Sequence, residues 1–130
     1  MEQDIAIYLT KALESLLTAE SEFINGRYNS CANHCYYACF QGAIAALLSA
    51  GIRPAGQWNH PFVQAKFVGV LINQRKRYDA QLRRVLSDNQ SIRDKADYRP
   101  EFVTDTQASR ALRRTRLFMT AIRQKGGVAQ

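Results

Sequence analysis

Four potential soft ligands fall within nine residues: Cys31, His34, Cys35 and Cys39. Thiolates and imidazoles are the donors a tetrahedral zinc takes, so the first question is whether these four share a centre. They stand on a stretch, Tyr28 to Ala50, that holds no proline and a single glycine, Gly42, and reads as one helix. At about 1.5 Å rise per residue, a straight helix strings the three thiols along roughly 12 Å, too far for Cys31 and Cys39 to hold one ion. Cys31 with Cys35 supplies half a site, and the chain has no second pair. The cysteines are therefore expected to be small core side chains, with no metal. A Cys–His nucleophile is no better placed, because on a helix His34 faces away from Cys35 and no oxyanion-binding loop is evident. Di-iron chemistry needs carboxylates on several helices together with Glu-x-x-His pairs, and the sequence has no such pair. No cofactor is expected.

The arginines are more informative. Arg75, Lys76 and Arg77 form one group, Arg83 and Arg84 follow, and Arg110, Arg113, Arg114, Arg116 and Arg123 lie in the last apolar-periodic stretch. Guanidinium forks grip phosphate through two donors at once, and Tyr78, Tyr98 and Phe102, close by in sequence, suit base stacking on single-stranded RNA. The rival reading is a solvated face or a protein interface. A further group is Arg93, Asp97 and Tyr98 at the end of SIRDKADY, where Arg93 and Asp97 have the i, i+4 spacing of a helix ion pair.

The elements that must position these residues are all helical. From about Gln3 to Asn25 apolar residues recur at three- and four-residue intervals with acids between them, which predicts an amphipathic first helix. Asn25-Gly26 closes it, and Asn29 or Ser30 is expected to cap the second, central helix. That helix is apolar almost all round in its C-terminal half and so is expected to be buried. Its small residues Cys31, Cys35, Cys39, Gly42 and Ala46 form a stripe that permits close packing. The stretch GIRPAGQWNHP denies a helix and predicts a loop of roughly ten residues, in which Trp58 and His60 either serve function or fold back over the core. Pro61 suits the first turn of a third helix reaching about Asn73, a fourth is expected from about Ala80 to Ala96, and Thr104 with Gln107 forms a capping box for a fifth, Asp105 to about Arg123. The fold expected is an all-α, antiparallel, up-and-down bundle of four main helices with a shorter additional one, a single domain over residues 1–125 followed by a frayed tail over 126–130.

At 130 residues, 46% apolar and 22% charged, the chain is long enough for one real core. No run approaches the 18 or so apolar residues of a membrane span, and the acidic, amphipathic N-terminus lacks the features of a signal peptide, so a cytoplasmic protein is expected. Three unpaired cysteines agree with a reducing compartment. The net charge of +7 is uneven: residues 1–26 hold one lysine against five acids, and the excess of arginine lies beyond them. An anionic partner would bind there.

The segment GRYNSCANHCYYACFQGAIAALL, with Tyr36, Tyr37, Ala38 and Phe40 as its YYA-x-F element, and the later Arg93, Asp97 and Tyr98 together resemble the small stand-alone HEPN proteins of bacteria and archaea over about residues 5 to 122. The resemblance implies a helical bundle, commonly a two-fold homodimer whose central cleft is the functional site. It also implies a toxin–antitoxin or defence role, either as a metal-independent ribonuclease or in a pair with a minimal nucleotidyltransferase antitoxin. Nucleolytic members carry an arginine four to six residues before a histidine, the arginine holding the scissile phosphate while the histidine moves a proton. Counting from Arg93, that histidine position is Tyr98, a poor base at neutral pH with an unperturbed pKa near about 10. The expected catalytic residues are Arg93, Asp97 and Tyr98. Arg27, His34, His60, Arg75 and Arg77 are the expected RNA- or nucleotide-phosphate contacts, His34 and His60 being the available proton carriers. Whether the chain cleaves RNA, or is a non-catalytic module that docks a nucleotidyltransferase partner, stays open at this point.

Overall fold

The computed structural model describes residues 2–126, with side chains through Lys125. The tail expected over 126–130 therefore falls, apart from Gly126, outside the described residues. Five α-helices are present among them: α1 Glu2–Ile24, α2 Tyr28–Ser49, α3 His60–Lys66, α4 Val85–Tyr98 and α5 Asp105–Ala121. No strand occurs among the described residues. No helix there is long and apolar enough to cross a membrane.

α2 is the axis. It buries Cys31, Ala32, Cys35, Ala38, Cys39 and then every residue from Gly42 to Leu48. Pairings along the helices fix the topology. Ser15 bonds Gln41 while Ala12 faces Gly42, so α1 runs antiparallel to α2. Asn89 bonds Cys35 and Cys39 while Val103, past the end of α4, bonds Asn29, so α4 is antiparallel to α2 as well. α5 returns alongside α4, with Asn89 opposite Thr115 and Lys95 opposite Gln107. The result is an up-and-down bundle of α1, α2, α4 and α5, with the short α3 in the long α2–α4 connection. Small residues permit the closest approach. A Cβ on Gly42 would stand 2.7 Å from Met119 Sδ, which is why the helix carries glycine there.

The core has two clusters along α2, one around Ala19, Cys31, Cys35, Ala111 and Leu112, the other around Ala43, Leu47, Phe67, Leu71, Leu86 and Phe118. A polar network lies between them. The fully buried Asn89 donates through Nδ2 to Thr115 Oγ1 at 2.9 Å and to Cys39 Sγ at 3.2 Å, and its Oδ1 accepts from Arg114 Nε at 2.7 Å. Arg114, one of the arginines of the last apolar-periodic stretch, is thus a structural residue that closes a buried amide.

Several local expectations change. Neither Asn29 nor Ser30 caps α2: Arg27 occupies the N-cap with no side-chain hydrogen bond, and Asn29 Oδ1 instead accepts from Val103 N at 2.9 Å. Gly26 does end the first helix turn in a left-handed conformation, φ 77°. Asn59 caps α3, accepting from Phe62 N. α3 then widens into a π-helical segment, Phe67–Gln74, in which the five-residue spacing brings Phe67 and Ile72 to the core together. The fourth helix begins later than expected, since Ala80–Leu82 is a single 3-10 turn and α4 starts at Val85. The capping box at Thr104 and Gln107 is present in both directions.

Candidate functional site

The recess nearest to chemistry is built on one face of α2. Tyr36, Tyr37 and Phe40 are the large side chains there, and helical spacing sets Tyr36 directly beneath Phe40, their rings stacked with centroids 5.8 Å apart. α4, running antiparallel beside them, delivers Arg93. Its guanidinium carbon lies 4.7 Å from the Tyr36 ring centroid and 5.6 Å from that of Tyr37, a cation over two electron-rich faces. Asp97, one turn further on, accepts from Arg93 Nε at 3.3 Å, and both side chains are about a quarter exposed. The ion pair uses Nε alone, so the Nη edge of the fork has no ion-pair partner among the described residues.

α3 brings His60. Its ring stacks on Tyr36 and Phe40, with centroids 5.7 Å and 6.4 Å away. His60 Nε2 lies 2.6 Å from Gln64 Oε1, and an amide oxygen only accepts, so Nε2 carries the proton. Nδ1 is then the acceptor that faces the Tyr36 hydroxyl at 3.4 Å. Burial raises the pKa of that phenol above its ordinary value, so Tyr36 stays a neutral donor at physiological pH. Trp58 completes the wall from the preceding loop, edge-on to Tyr8 of α1 at 6.4 Å and to Phe62 at 6.0 Å. The Trp58 ring thus folds back onto α1 and α3, and it lines the recess. The space between Tyr8, Tyr37, Trp58 and Arg93 amounts to about 520 Å³, within the range of small-ligand sites.

A HEPN domain matches residues 5–125, nearly the whole chain. The chain belongs to the HEPN family. None of the curated proteins compared with it matches. In this HEPN chain the sequence grouped Arg93 with Asp97 and Tyr98, and the fold sets Tyr36 and Tyr37 against Arg93 as well. Tyr98, the last residue of α4, is 72% exposed and lies outside the recess.

The expected phosphate contacts separate into four places. His34 and His60 belong to the aromatic face: His34 meets the edge of Tyr37 at 6.1 Å, and its Nδ1 donates to the Ser30 carbonyl at 2.8 Å. Arg27 sits a turn away, bonded to Glu22 at 3.0 Å, and lines a separate recess of about 450 Å³ with Phe102. That hydrogen bond, followed by one from Ser30, holds the Glu22 carboxyl below its ordinary pKa. Arg75 is at the far end of α2, where Nη1 donates to the Ala50 carbonyl at 3.2 Å, and Arg77 lines a recess of its own. The cysteines are fully buried and free. Burial pushes Cys39 up to about 12, and a hydrogen bond with Cys35, then burial, pushes Cys31 up as well.

Sequence reasoning noted Tyr36 and Tyr37 only as bulk and as a family element. The signal available was two adjacent phenols on a helix otherwise committed to burial, one of which had to face outward. Their partner Arg93 is far along the chain, and no spacing rule joins them.

Proposed function

We propose that this HEPN protein binds RNA or nucleotide phosphates at the Arg93 recess, within a toxin–antitoxin or defence module, and that the recess opens onto the cleft of a two-fold dimer. The observation that carries the reading is the placement of Arg93: a permanent cation, held by Asp97 and stacked on Tyr36 and Tyr37, beside a cavity walled by Trp58 and Tyr8. The Nη edge suits a phosphate's paired oxygens, and the aromatic walls suit a base, the combination single-stranded RNA requires.

The geometry supports binding more directly than cleavage. Both His60 nitrogens face protein partners, Gln64 and Tyr36, so His60 takes a proton from a ribose hydroxyl only after releasing Tyr36. Tyr36, neutral and buried, is a donor and not a base.

Trp58 is the only tryptophan in the chain and lines the recess, so its emission reports occupancy. Titration with a short single-stranded RNA is expected to quench it saturably, and more weakly as salt rises. An unchanged spectrum under conditions where RNA binds elsewhere contradicts the placement. Absence of RNA binding altogether favours the module that docks a nucleotidyltransferase.

A further inference from the structure

We propose that a second recess, between the end of the π-helical segment Phe67–Gln74 and the end of α5, binds a phosphate monoester through Arg77, Tyr78 and Lys125. The recess holds about 250 Å³ and shares no lining residue with the Arg93 site, and the proposal does not rest on the reading of that site.

Two orphaned polar atoms point to a ligand. Arg77 Nε and Tyr78 Oη are buried without a hydrogen bond of good geometry, although the guanidinium and the phenol are near enough to act on each other, and Tyr78 as a whole is 95% inaccessible. Buried polar groups without partners are rare in folded proteins, because each costs the desolvation of a group that gains nothing in return. Here two donors stand side by side. The Tyr78 ring itself is anchored, tilted against Phe67 at 5.1 Å, so the hydroxyl is held where it is by core packing. Burial raises its pKa, and it remains a donor at neutral pH.

The backbone around the recess is unusual on both sides. π-Helical turns amount to well under about 1% of residues in folded proteins and concentrate at functional sites. This chain has two among its described residues: Phe67–Gln74, which ends three residues before Arg77, and Ile122–Gly126, which carries the lining residues Gln124 and Lys125. The turn after the first is closed by Lys76 in the left-handed region, φ 54°, with Arg77 N donating to Leu71 O at 2.7 Å. Glycine ordinarily takes that position. Lysine there is strained, and Arg77 and Tyr78 follow it directly.

The chemistry selects the ligand class. A guanidinium and an ammonium face one carboxylate, Asp79, whose Oδ1 already accepts from Gln81 N, which leaves a net positive rim. Guanidinium, ammonium and phenol match the three terminal oxygens of a phosphate monoester better than the two of a carboxylate. The apolar side, Leu82, Leu117 and Ala121, accommodates the ester group. In the conformation described Arg77 Nε and the Tyr78 hydroxyl are sealed from solvent, so binding requires the Arg77 side chain to swing outward onto the phosphate and uncover Tyr78.

Calorimetric titration of the full chain with phenyl phosphate tests this. Saturable binding is expected, together with a loss of roughly tenfold in Tyr78→Phe, the equivalent of one charge-assisted hydrogen bond, and a larger loss in Arg77→Met. Tyr78→Phe is the decisive variant because it removes only the orphaned oxygen: its melting temperature should stay level or rise while affinity falls. Because phenyl phosphate also suits the Arg93 recess, the titrations are repeated in Arg93→Ala, where the binding that persists and is then lost on adding Tyr78→Phe belongs to this recess. In that background, tighter binding of a 5′-phosphorylated than of a 5′-hydroxyl oligoribonucleotide identifies an RNA end as the source, and equal binding identifies a free small monoester. No saturable binding by the parent chain, or parent-like affinity in Tyr78→Phe, overturns the proposal.

Discussion

Arg93 is held from two directions, by an ion pair to Asp97 and by the faces of Tyr36 and Tyr37, and this double restraint separates it from the exposed Arg110 and Arg113 of α5. A guanidinium fixed in advance loses little freedom when it grips a phosphate, which is what sets Arg93 apart as the proposed contact. The pairing of Arg93 with Asp97 was legible from their spacing, since one helix turn relates them. The pairing with Tyr36 was not, because it depends on how α4 lies against α2. At the same scale the cysteines allow a direct check. The thiolate is the reactive form; burial disfavours it at Cys39, the hydrogen bond with Cys35 and then burial disfavour it at Cys31, and Cys35, drawn down by that same hydrogen bond, is sealed from reagent by complete burial. The native protein is therefore expected to leave its thiols unmodified by a thiol reagent at pH 8, with all three reacting once the chain is unfolded. Rapid modification of the native state would show that the α2 stripe is accessible and not packed core.

Helices and their caps were largely readable, because capping and periodicity are local. The Thr104–Gln107 box, the Gly26 terminator and the burial of the central helix all follow from neighbouring residues. What escaped depends on partners distant in sequence. Asn29 is engaged by Val103, and Asn89 joins Cys35, Cys39, Thr115 and Arg114 across three helices. The widening of α3 into a π-helix serves the core contacts of Phe67 and Ile72, and hydropathy does not announce it. The Asn89 network makes a prediction for the elements it ties together. Asn89→Ala leaves the Arg114 Nε without its acceptor and opens a small cavity between α2, α4 and α5, and is expected to destabilise the fold by about 2 to 3 kcal/mol in denaturant unfolding. A loss within about 0.5 kcal/mol, ordinary for a surface substitution, would mean that the amide contributes little to holding the bundle.

For the whole molecule, the up-and-down bundle sets the Arg93 recess between α1, α2 and α4, closed by the loop before α3. Family resemblance implied a two-fold dimer with the functional cleft between protomers, and static light scattering is the check: the expected mass is twice the 14.7 kDa of one chain. A strict monomer at micromolar concentration would confine the site to the recess of a single chain. The central claim, that Arg93 binds RNA or nucleotide phosphate, is tested most directly by measuring RNA affinity and melting temperature together on Arg93→Ala. The account predicts an affinity weaker by roughly 1.5 to 3 kcal/mol, the scale of a charge-assisted hydrogen bond, with the helical fold retained. A lowered melting temperature with affinity unchanged within about twofold, which is under 0.5 kcal/mol, would contradict it and leave Arg93 as a residue that only holds the end of α4 to α2.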